Sequence, residues 1–525
     1  MIKRDFIVVN ESQLKAKKNN LSEDEKKSWF LMDIIKDSIP GLSIERVHDS
    51  IDFSKTNKKV LIAILDSEVD INHEYLKNNI WGNKNEIAEN NLDDDKNGYV
   101  DDVNGWNFLG SNDGENNSFT SYSFTRVIKK FENRFNDTTS LNFKDSVEYR
   151  MFIKAKERFD KKGEFAKEDI EYSNMLVTTL NRVDSVLNTY FLNQKYSQES
   201  LDSLKEKYSQ DENLQECILI KSNFIKYGFS REYVDNYRTQ AQERVSKLLN
   251  LNYDDRALIG DNPDDVNDIY YGNNLVDNNI NLFTHGTKIA GSIISINENV
   301  EIMPVCISPF GDERDKDIAV GIKYAVDNGA KIINMSFGKE FSLNNQWVLG
   351  AMKYAEQKNV LIVSSAGNSG YDLNKVNSYY PNDNIDNGEE VVDNFILVGG
   401  ISRKLDDNLL YYDSNYGNID VDFFAPAEDI YTTFPNSKKG FDSGTSLASA
   451  LTCGVASLIY QKYPNLKPSE VKSILMSSGI TLNIEVKTPV KGDKKRKTPL
   501  SKLSKSGKIL NAYNALIMAE NIYGR

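Results

Sequence analysis

The chain has few cysteines, few histidines and no long apolar run, and these shortages exclude several classes of protein. Its three cysteines are too few for a disulfide framework, and no CxxC pair or Cys/His cluster is present to hold structural zinc. A formal net charge of −13 over 525 residues argues against a nucleic-acid partner, which usually meets a basic face. The apolar run VLIAIL (60–65) is far too short to cross a bilayer. We therefore expect a soluble globular protein without a nucleic-acid or membrane partner.

The N-terminal residues MIKRDFIVVNESQLKAKKNN also lack the apolar segment of a secretory signal. Taken as written, the sequence predicts a cytoplasmic protein. An exported protein whose signal had been removed from the sequence would have the same composition, so this alternative stays open. The oligomeric state is not indicated by the sequence.

Outside residues 115–265, the sequence alternates between short apolar runs and amphipathic segments. The apolar runs predict strands within 58–70, 301–308, 330–338, 360–368 and 395–402, and the segments around them predict helices that begin at residues 285, 315 and 345. Strands that alternate with helices of this length form right-handed βαβ units and a parallel sheet with helices on both faces. We therefore predict an α/β fold.

Between about residues 115 and 265, the composition changes to segments rich in Lys and Glu with apolar residues three and four positions apart. This spacing is typical of amphipathic helices. We interpret the block as a helical insertion that interrupts the α/β domain and serves as a spacer or a lid, with no chemistry of its own.

The segment FDSGTSLASALTCG (441–454) raises the main question about function. Ser446 opens an apolar run typical of a buried helix, so its hydroxyl is expected either to cap that helix or to act as a nucleophile. A serine nucleophile usually needs an imidazole to accept its proton, and the chain has only His48, His73 and His285. No histidine follows Ser446 and the local sequence is GTSLA, which excludes the Ser–acid–His order of α/β-hydrolases.

The order Asp, His, Ser remains, because the order His, Asp, Ser belongs to β-barrels and conflicts with the α/β pattern. Asp66 lies at the carboxyl end of the strand VLIAIL, where catalytic groups of parallel sheets collect. His285 lies in FTHGTKIAG, at a glycine-bearing turn into a helix, with a purely structural role in that turn as the alternative. His73 follows Asp66 closely in a predicted surface turn, and His48 precedes the first strand. We therefore expect His285 to be the base.

Three blocks in this order carry a resemblance to a known family: AILDSEVDINHEYL around Asp66, HGTKIAG from His285 and SGTSLASA around Ser446. The segments INMSFG and SSAGNSG lie between the second and third blocks and fit the same pattern. Together the blocks resemble the subtilisin-like serine peptidases (subtilases, peptidase S8).

The resemblance covers about residues 28–115 and 265–525. It implies a subtilisin-like parallel sheet with helices on both faces, carrying the large helical insertion between the catalytic Asp and His. The implied domains are an N-terminal extension at 1–27 and a peptidase domain at 28–525, which the insertion at 115–265 interrupts.

The function that the resemblance implies is a serine endopeptidase that cleaves peptide or protein substrates through an acyl-enzyme at Ser446. Asp66 would orient and stabilise His285, which would move the proton of Ser446, and no cofactor would be needed for this chemistry. Asn368 and the backbone N–H of Ser446 would bind the oxyanion. One wall of the substrate cleft would be formed by Ser336, Phe337 and Gly338. The alternative is a catalytically weak subtilisin-fold protein that binds peptides or serves as a scaffold.

Departures from the usual residues of that family include APA (425–427) in place of APG, and two that lie close to Asp66 and Ser446. Glu68 stands where a glycine is usual, two residues after Asp66, and Ala450 stands where a proline is usual. We expect the backbone at Glu68 to be strained, because a glycine position favours conformations that other residues avoid, and we expect its carboxylate to perturb the triad. These departures bear on the turnover rate more than on the fold.

A further resemblance is local. DDDKNGYVDDVNGWNF (93–108) places Asp93, Asp95 and Asn97 at alternate positions ahead of a glycine, like the first half of a calcium loop. The twelfth position is Asn104 instead of Glu, so the loop is not a complete EF-hand. A structural Ca²⁺ site and a plain polar turn are both compatible with this sequence.

Many members of the family begin with a folded pro-domain that inhibits the enzyme before its removal. The extension at 1–27 is too short for such a domain, since chains below about 40 residues seldom fold alone. We therefore expect the chain to fold without a cleaved N-terminal inhibitor domain.

Overall fold

The computed structural model describes residues 5–9, 21–54, 56, 58–135, 146–191, 196–376, 378–384, 387–488 and 496–524. The chain divides into two compact units, the first formed by Met1–Ser118 with Arg256–Arg525 and the second by Phe119–Asp255. The second unit is shorter at both ends than the insertion expected at 115–265. Of the extension expected at 1–27, residues 1–4 and 10–20 lie outside the described residues.

A nine-stranded sheet forms the centre of the first unit. Its strand order is β10-β13-β7-β6-β5-β4-β1-β3-β2, and every neighbouring pair is parallel except β10 with β13. Two antiparallel pairs, β8 with β9 and β11 with β12, lie outside this sheet. The predicted parallel sheet is thereby confirmed. The strands are β1 (Val60–Asp66), β2 (Trp106–Asn107), β3 (Val300–Cys306), β4 (Ile332–Met335), β5 (Leu361–Ser365), β6 (Phe395–Ile401), β7 (Phe423–Pro426), β8 (Ile430–Phe434), β9 (Lys438–Asp442), β10 (Ile480–Thr481), β11 (Glu485–Lys487), β12 (Lys497–Pro499) and β13 (Lys508–Ile509).

Helices of the first unit pack on this sheet in two groups, α9 with α12 and α10 with α11. The most deeply placed is α12, in which every residue from Thr445 to Tyr460 is buried, as its apolar sequence predicts. The helices of this unit are α1 (Glu23–Ser28), α2 (Ile34–Asp37), α3 (Ile44–Ser50), α9 (His285–Ile294), α10 (Asp315–Asp327), α11 (Asn345–Gln357), α12 (Thr445–Lys462), α13 (Pro468–Ser478) and α14 (Ala512–Tyr523).

The contact between α9 and α12 depends on a glycine. A methyl group added to Gly454 of α12 would lie 2.5 Å from Cβ of Ile296, which is closer than carbon atoms can approach. Nearby, the side-chain amide of Asn297 donates a 2.9 Å hydrogen bond to the Ser457 hydroxyl. Full burial of one Leu or Ile side chain contributes about 1.5–3 kcal/mol, so a helix apolar on all sides is strongly held in this position.

Helices α4 (Ser123–Phe135), α5 (Val147–Leu187), α6 (Gln198–Lys207), α7 (Glu212–Lys226) and α8 (Arg231–Glu243) form the second unit. The predicted helical insertion is confirmed by these elements, and α5 alone has 41 residues. Apolar side chains at helical spacing produce two buried clusters, one around Leu187 and Leu214 and one around Leu180 and Phe224. Among the described residues, no helix has both the length and the apolar character needed to cross a bilayer.

The order of the strands decides where the polar residues collect. Strands β5, β4 and β1 are neighbours and run parallel, so their carboxyl ends meet at one edge of the sheet. Asp66 ends β1, Ser336 follows β4 directly, and Asn368 follows β5 after a short turn. We call this edge the polar edge below.

Candidate active site

Asp66 and His285 form a directly hydrogen-bonded pair at the polar edge. Nδ1 of His285 lies 2.8 Å from Oδ1 and 2.9 Å from Oδ2 of Asp66. The carboxylate is 2% exposed, whereas the imidazole is 41% exposed and accessible to a substrate. Because an ionised carboxylate can only accept, Nδ1 carries the proton and Nε2 is left as the basic nitrogen. This is the tautomer that a general base requires.

The same pair sets the basicity of the imidazole. Loss of hydration lowers the pKa of His285, but the charge of Asp66 and its hydrogen bond raise it by more, so the pKa lies above 6.5. Lys288 opposes this shift and Asp442 reinforces it. A protonated imidazole at this position would therefore be stabilised by Asp66.

Ser446 is the second residue of α12 and reaches the polar edge from the N-terminal end of that helix. Its hydroxyl donates a 3.1 Å hydrogen bond to the carbonyl of Ser336. In return, the Ser336 hydroxyl donates to the carbonyl of Ser446 at 3.0 Å. Among the described residues, no hydrogen bond joins the side chains of Ser446 and His285.

The capping interpretation of Ser446 is wrong. The N-cap position of α12 is Gly444, and the Ser446 hydroxyl accepts no backbone N–H of the helix among the described contacts. The first N–H of the helix, that of Thr445, donates instead to Oδ1 of Asn368 at 2.9 Å. The helix start is thus capped by a side chain from another part of the chain, and the Ser446 hydroxyl has no capping role.

This contact orients the amide of Asn368. A backbone N–H can only donate, so the atom facing Thr445 must be the amide oxygen, and Nδ2 points away from it. Among the described residues, no acceptor is bonded to Nδ2, and Asn368 is exposed. The N–H of Ser446 belongs to the first turn of α12, whose N–H groups lack partners within the helix. The two predicted oxyanion donors therefore lie at the start of the same helix.

Thr445 is a site residue that the sequence reasoning missed. Its hydroxyl donates to Oδ1 of Asn368 at 3.0 Å and accepts the N–H of Gly367, also at 3.0 Å. Thr445 therefore holds the turn that carries Asn368 close to the start of α12, next to Ser446. The only signal in the sequence was its place next to Ser446 in GTS.

The two rival histidines have other surroundings. His73 is 1% exposed, its Nδ1 accepts the N–H of Tyr75 at 3.0 Å, and its Nε2 lies 3.1 Å from the carbonyl of Lys438. Both ring nitrogens of His73 thus lie against backbone groups, so neither nitrogen is free to accept a proton from a serine. His48 lies in α3 and is exposed.

The expected backbone strain at Glu68 is wrong. Glu68 is not among the described residues with positive φ, so its backbone does not need a glycine. Its buried carboxylate accepts hydrogen bonds from the side-chain amide of Asn116, at 3.0 Å, and from the N–H of Asn279. Burial raises the pKa of Glu68 above its usual value. These amide partners, and not His285, hold the carboxylate.

The acidic loop brings together a different set of carboxylates from the predicted one. Asp95 lies with Glu86 and Asp102, one oxygen of each within 4.8 Å of the others. The carboxylate of Asp93 instead accepts the N–H groups of the two residues that follow Lys96, and Asn97 donates its amide to Asp95 and Asp102. Burial raises the pKa of Asp102 to about 6. An all-oxygen donor set of this kind fits Ca²⁺, and calcium binding stays a prediction.

Comparison with known proteins adds independent findings. A family model described as "Subtilase family" matches residues 57–502. The chain is 32% identical over 228 residues to the cell wall-associated protease of Bacillus subtilis (strain 168), a match that covers 41% of this chain and 23% of that protein. It is 30% identical over 219 residues to thermitase of Thermoactinomyces vulgaris, which covers 39% of this chain and 72% of thermitase. A solved structure of a cold adapted subtilisin-like serine proteinase shares 25% identity with a TM-score of 0.33, over 44% of this chain and 74% of that chain.

Proposed function

This chain belongs to the subtilase family, and we propose that it is a serine endopeptidase whose substrates are peptides or proteins. The observation that carries the proposal is the hydrogen bond between Nδ1 of His285 and the buried carboxylate of Asp66. It supports a neutral imidazole with a basic Nε2 at the edge of the sheet where Ser446 lies in the first turn of α12. The matched part of the chain spans 23% of the first relative described above, so this activity is inferred from the site and not carried over from that protein.

The reaction begins when the Ser446 hydroxyl exchanges its bond to the Ser336 carbonyl for one to Nε2 of His285. We expect this change to need only a rotation about the Cα–Cβ bond of Ser446 between staggered positions. His285 then accepts the proton as the Ser446 oxygen attacks the substrate carbonyl, and Asp66 stabilises the imidazolium. Collapse of the tetrahedral intermediate transfers that proton to the leaving amine and leaves an ester on Ser446. Water then attacks the ester with His285 as base once more.

Negative charge develops on the carbonyl oxygen in each tetrahedral intermediate. Nδ2 of Asn368 and the N–H of Ser446 are the donors that meet it, helped by the positive end of the α12 dipole. One side-chain donor in such a site contributes about 3–4 kcal/mol to the transition state. Thr445 keeps Nδ2 of Asn368 pointing outward, because its N–H and its hydroxyl both donate to the amide oxygen of Asn368.

A fluorophosphonate probe tests the proposal, because it reacts only with an activated serine. We expect rapid labelling of the wild-type chain, no labelling of Ser446→Ala, and casein hydrolysis by the wild type alone. Ser443→Ala is a matched control from the same segment, since the Ser443 hydroxyl only accepts the N–H of Asp429. Equally poor labelling of wild type and Ser446→Ala in folded protein would overturn the proposal. Peptide binding without labelling would then favour the weak or scaffold alternative.

A further inference from the structure

The two segments that leave the sheet beside Ser446 form the walls of a slot. Strands β4 and β5 pair up to Met335 opposite Ser364 and then continue as residues 336–338 and 366–368. In the proposed reaction, the attacked carbonyl oxygen lies at Nδ2 of Asn368. We take the residue that carries this carbonyl, called P1 below, to place its side chain in the space next to Asn368, between the two walls.

Each wall contains a glycine that faces a tyrosine. A methyl group added to Gly367 would lie 1.9 Å from the hydroxyl oxygen and 2.5 Å from Cζ of Tyr379. One added to Gly338 would lie 2.4 Å from Cε1 and 2.6 Å from the hydroxyl oxygen of the same ring. The phenol end of Tyr379 is thus in contact with both walls at once, and it occupies the slot that the two glycines leave open.

Backbone and ionic contacts hold this tyrosine in place. The neighbouring residue Tyr380 exchanges two hydrogen bonds with Lys339, of 2.9 and 2.8 Å, so the segment is fastened to the end of the first wall. The ammonium of Lys339 is buried and lies 2.8 Å from Asp315. Tyr379 itself is only 9% exposed. The segment that carries Tyr379 is thus bonded to a residue, Lys339, that a buried ion pair holds in place.

The hydroxyl end of the Tyr379 ring, which lies in the slot, is polar but uncharged. Among the described residues, none makes a hydrogen bond to the Tyr379 hydroxyl. Burial and the nearby carboxylates of Glu313, Asp312 and Glu340 raise the pKa of Tyr379, so the phenol stays neutral. The floor of the slot therefore offers a shallow surface with one free hydroxyl.

We propose that Tyr379 closes the P1 pocket and restricts the chain to substrates with a small P1 side chain, namely glycine, alanine or serine. This inference rests on the proposed function and adds the substrate class. The ring fills the volume that an aromatic or long aliphatic P1 side chain would need, and an interior packed at this density does not accept an extra side chain without strain. One methylene in a specificity pocket already changes kcat/KM by about 10–200-fold. We therefore expect alanine to be preferred over phenylalanine by about 100-fold or more.

The test uses the full chain and a series of chromogenic tetrapeptides that differ only at P1, with Gly, Ala, Leu or Phe. We expect kcat/KM of the wild type to be highest for Ala and lowest for Phe. Tyr379→Gly opens the slot and should raise kcat/KM for the Phe peptide by about 100-fold relative to the Ala peptide. Tyr379→Phe is the matched control, because it keeps the ring and should keep the preference for Ala.

The outcomes separate this inference from the proposed function. Fluorophosphonate labelling of Ser446 does not involve a P1 side chain, so labelled enzyme that cleaves the Phe peptide faster than the Ala peptide overturns the inference alone. Absence of both labelling and cleavage overturns the proposed function. If Tyr379→Gly does not fold, the wild-type P1 profile still decides, because faster cleavage after Phe contradicts a closed pocket.

Discussion

Oδ1 of Asn368 accepts the backbone N–H of Thr445 at 2.9 Å, although the two residues lie 77 positions apart in sequence. The contact has two effects, since it caps α12 and turns Nδ2 of Asn368 outward. Capping and the proposed oxyanion binding therefore use opposite ends of the Asn368 amide, so a substitution can remove one and keep the other.

Asn368→Asp tests this separation. The carboxylate keeps an oxygen for Thr445 and suits the positive end of α12, so we expect a melting temperature close to that of the wild type. It has no N–H to donate to the oxyanion, so kcat should fall by at least about 10²–10³. KM should change little, because the lost bond strengthens only in the transition state. A raised KM with kcat intact would place Asn368 outside the oxyanion hole.

Substitutions of the histidines test whether His285 or His73 is the general base. His285→Ala should lower kcat by several orders of magnitude, because triad residues act as a unit. His73→Ala should leave kcat of the folded protein nearly unchanged but lower its melting temperature, since two buried hydrogen bonds are lost at about 1–3 kcal/mol for each group left unpaired. The exposed His48→Ala variant serves as a control for both measurements. Equal losses of kcat in His285→Ala and His73→Ala would contradict our assignment.

The pH dependence of the reaction follows from the Asp66–His285 pair. The base must be neutral, so kcat/KM rises with pH through the pKa of His285. Because Asp66 raises this pKa, the half-maximal point should lie above pH 6.5. Asp66→Asn removes the charge that favours the imidazolium, so the half-maximal point should move to lower pH while kcat also falls. A labelling rate with the same pH profile in both proteins would show that Asp66 does not act on His285.

The elements of the site could be predicted from sequence because each is a local pattern. An apolar run that ends in Asp66 marks a strand end, and small residues after Ser446 mark a buried helix. The parallel order of the strands then brings these ends to one edge. The orientation of the Asn368 amide was not predictable, because it depends on a contact with Thr445. The filling of the slot was not predictable either, because it depends on Tyr379, which lies outside the motifs of the family.

Other differences between the expectations and the structure have equally specific causes. The strain expected at Glu68 came from comparison with a family pattern, whereas the local backbone and two asparagines accommodate the side chain. The acidic loop was interpreted by alternate spacing, which cannot show that Glu86 and Asp102 fold back onto Asp95.

Calcium binding can be tested through stability. One oxygen each from Glu86, Asp95 and Asp102 lies close to the others, and a cation would offset their repulsion. We expect added Ca²⁺ to raise the melting temperature and a chelator to lower it, with the response lost in Asp95→Asn. Asp93→Asn is a control that should keep the response, because that carboxylate binds backbone N–H groups. An identical wild-type melting curve with and without chelator would favour a plain polar turn.

The boundaries of the helical insertion decide whether its deletion leaves a protein that can fold. In the second unit, the N–H of Ser121 donates to Asp255 at 2.9 Å, so the two ends of that unit are adjacent. Replacing Phe119–Asp255 with a short Gly/Ser linker between Ser118 and Arg256 should therefore leave the first unit able to close its chain.

Arg256 must be kept in such a deletion. Its guanidinium is buried and pairs with Asp261 and, at 2.9 Å, with Asp317, while Lys316 lies 2.6 Å from Asp261. A deletion of 115–265, the range suggested by composition, removes Arg256 and Asp261 and leaves Asp317 and Lys316 without these partners. Removing one partner of a buried ion pair in this way lowers the free energy of unfolding by about 3–5 kcal/mol. We therefore expect the 119–255 deletion to be soluble with a cooperative melting transition, and the 115–265 deletion to melt at a much lower temperature or to aggregate. The reverse order of stability, measured by circular dichroism on both proteins, would show that the boundary is misplaced.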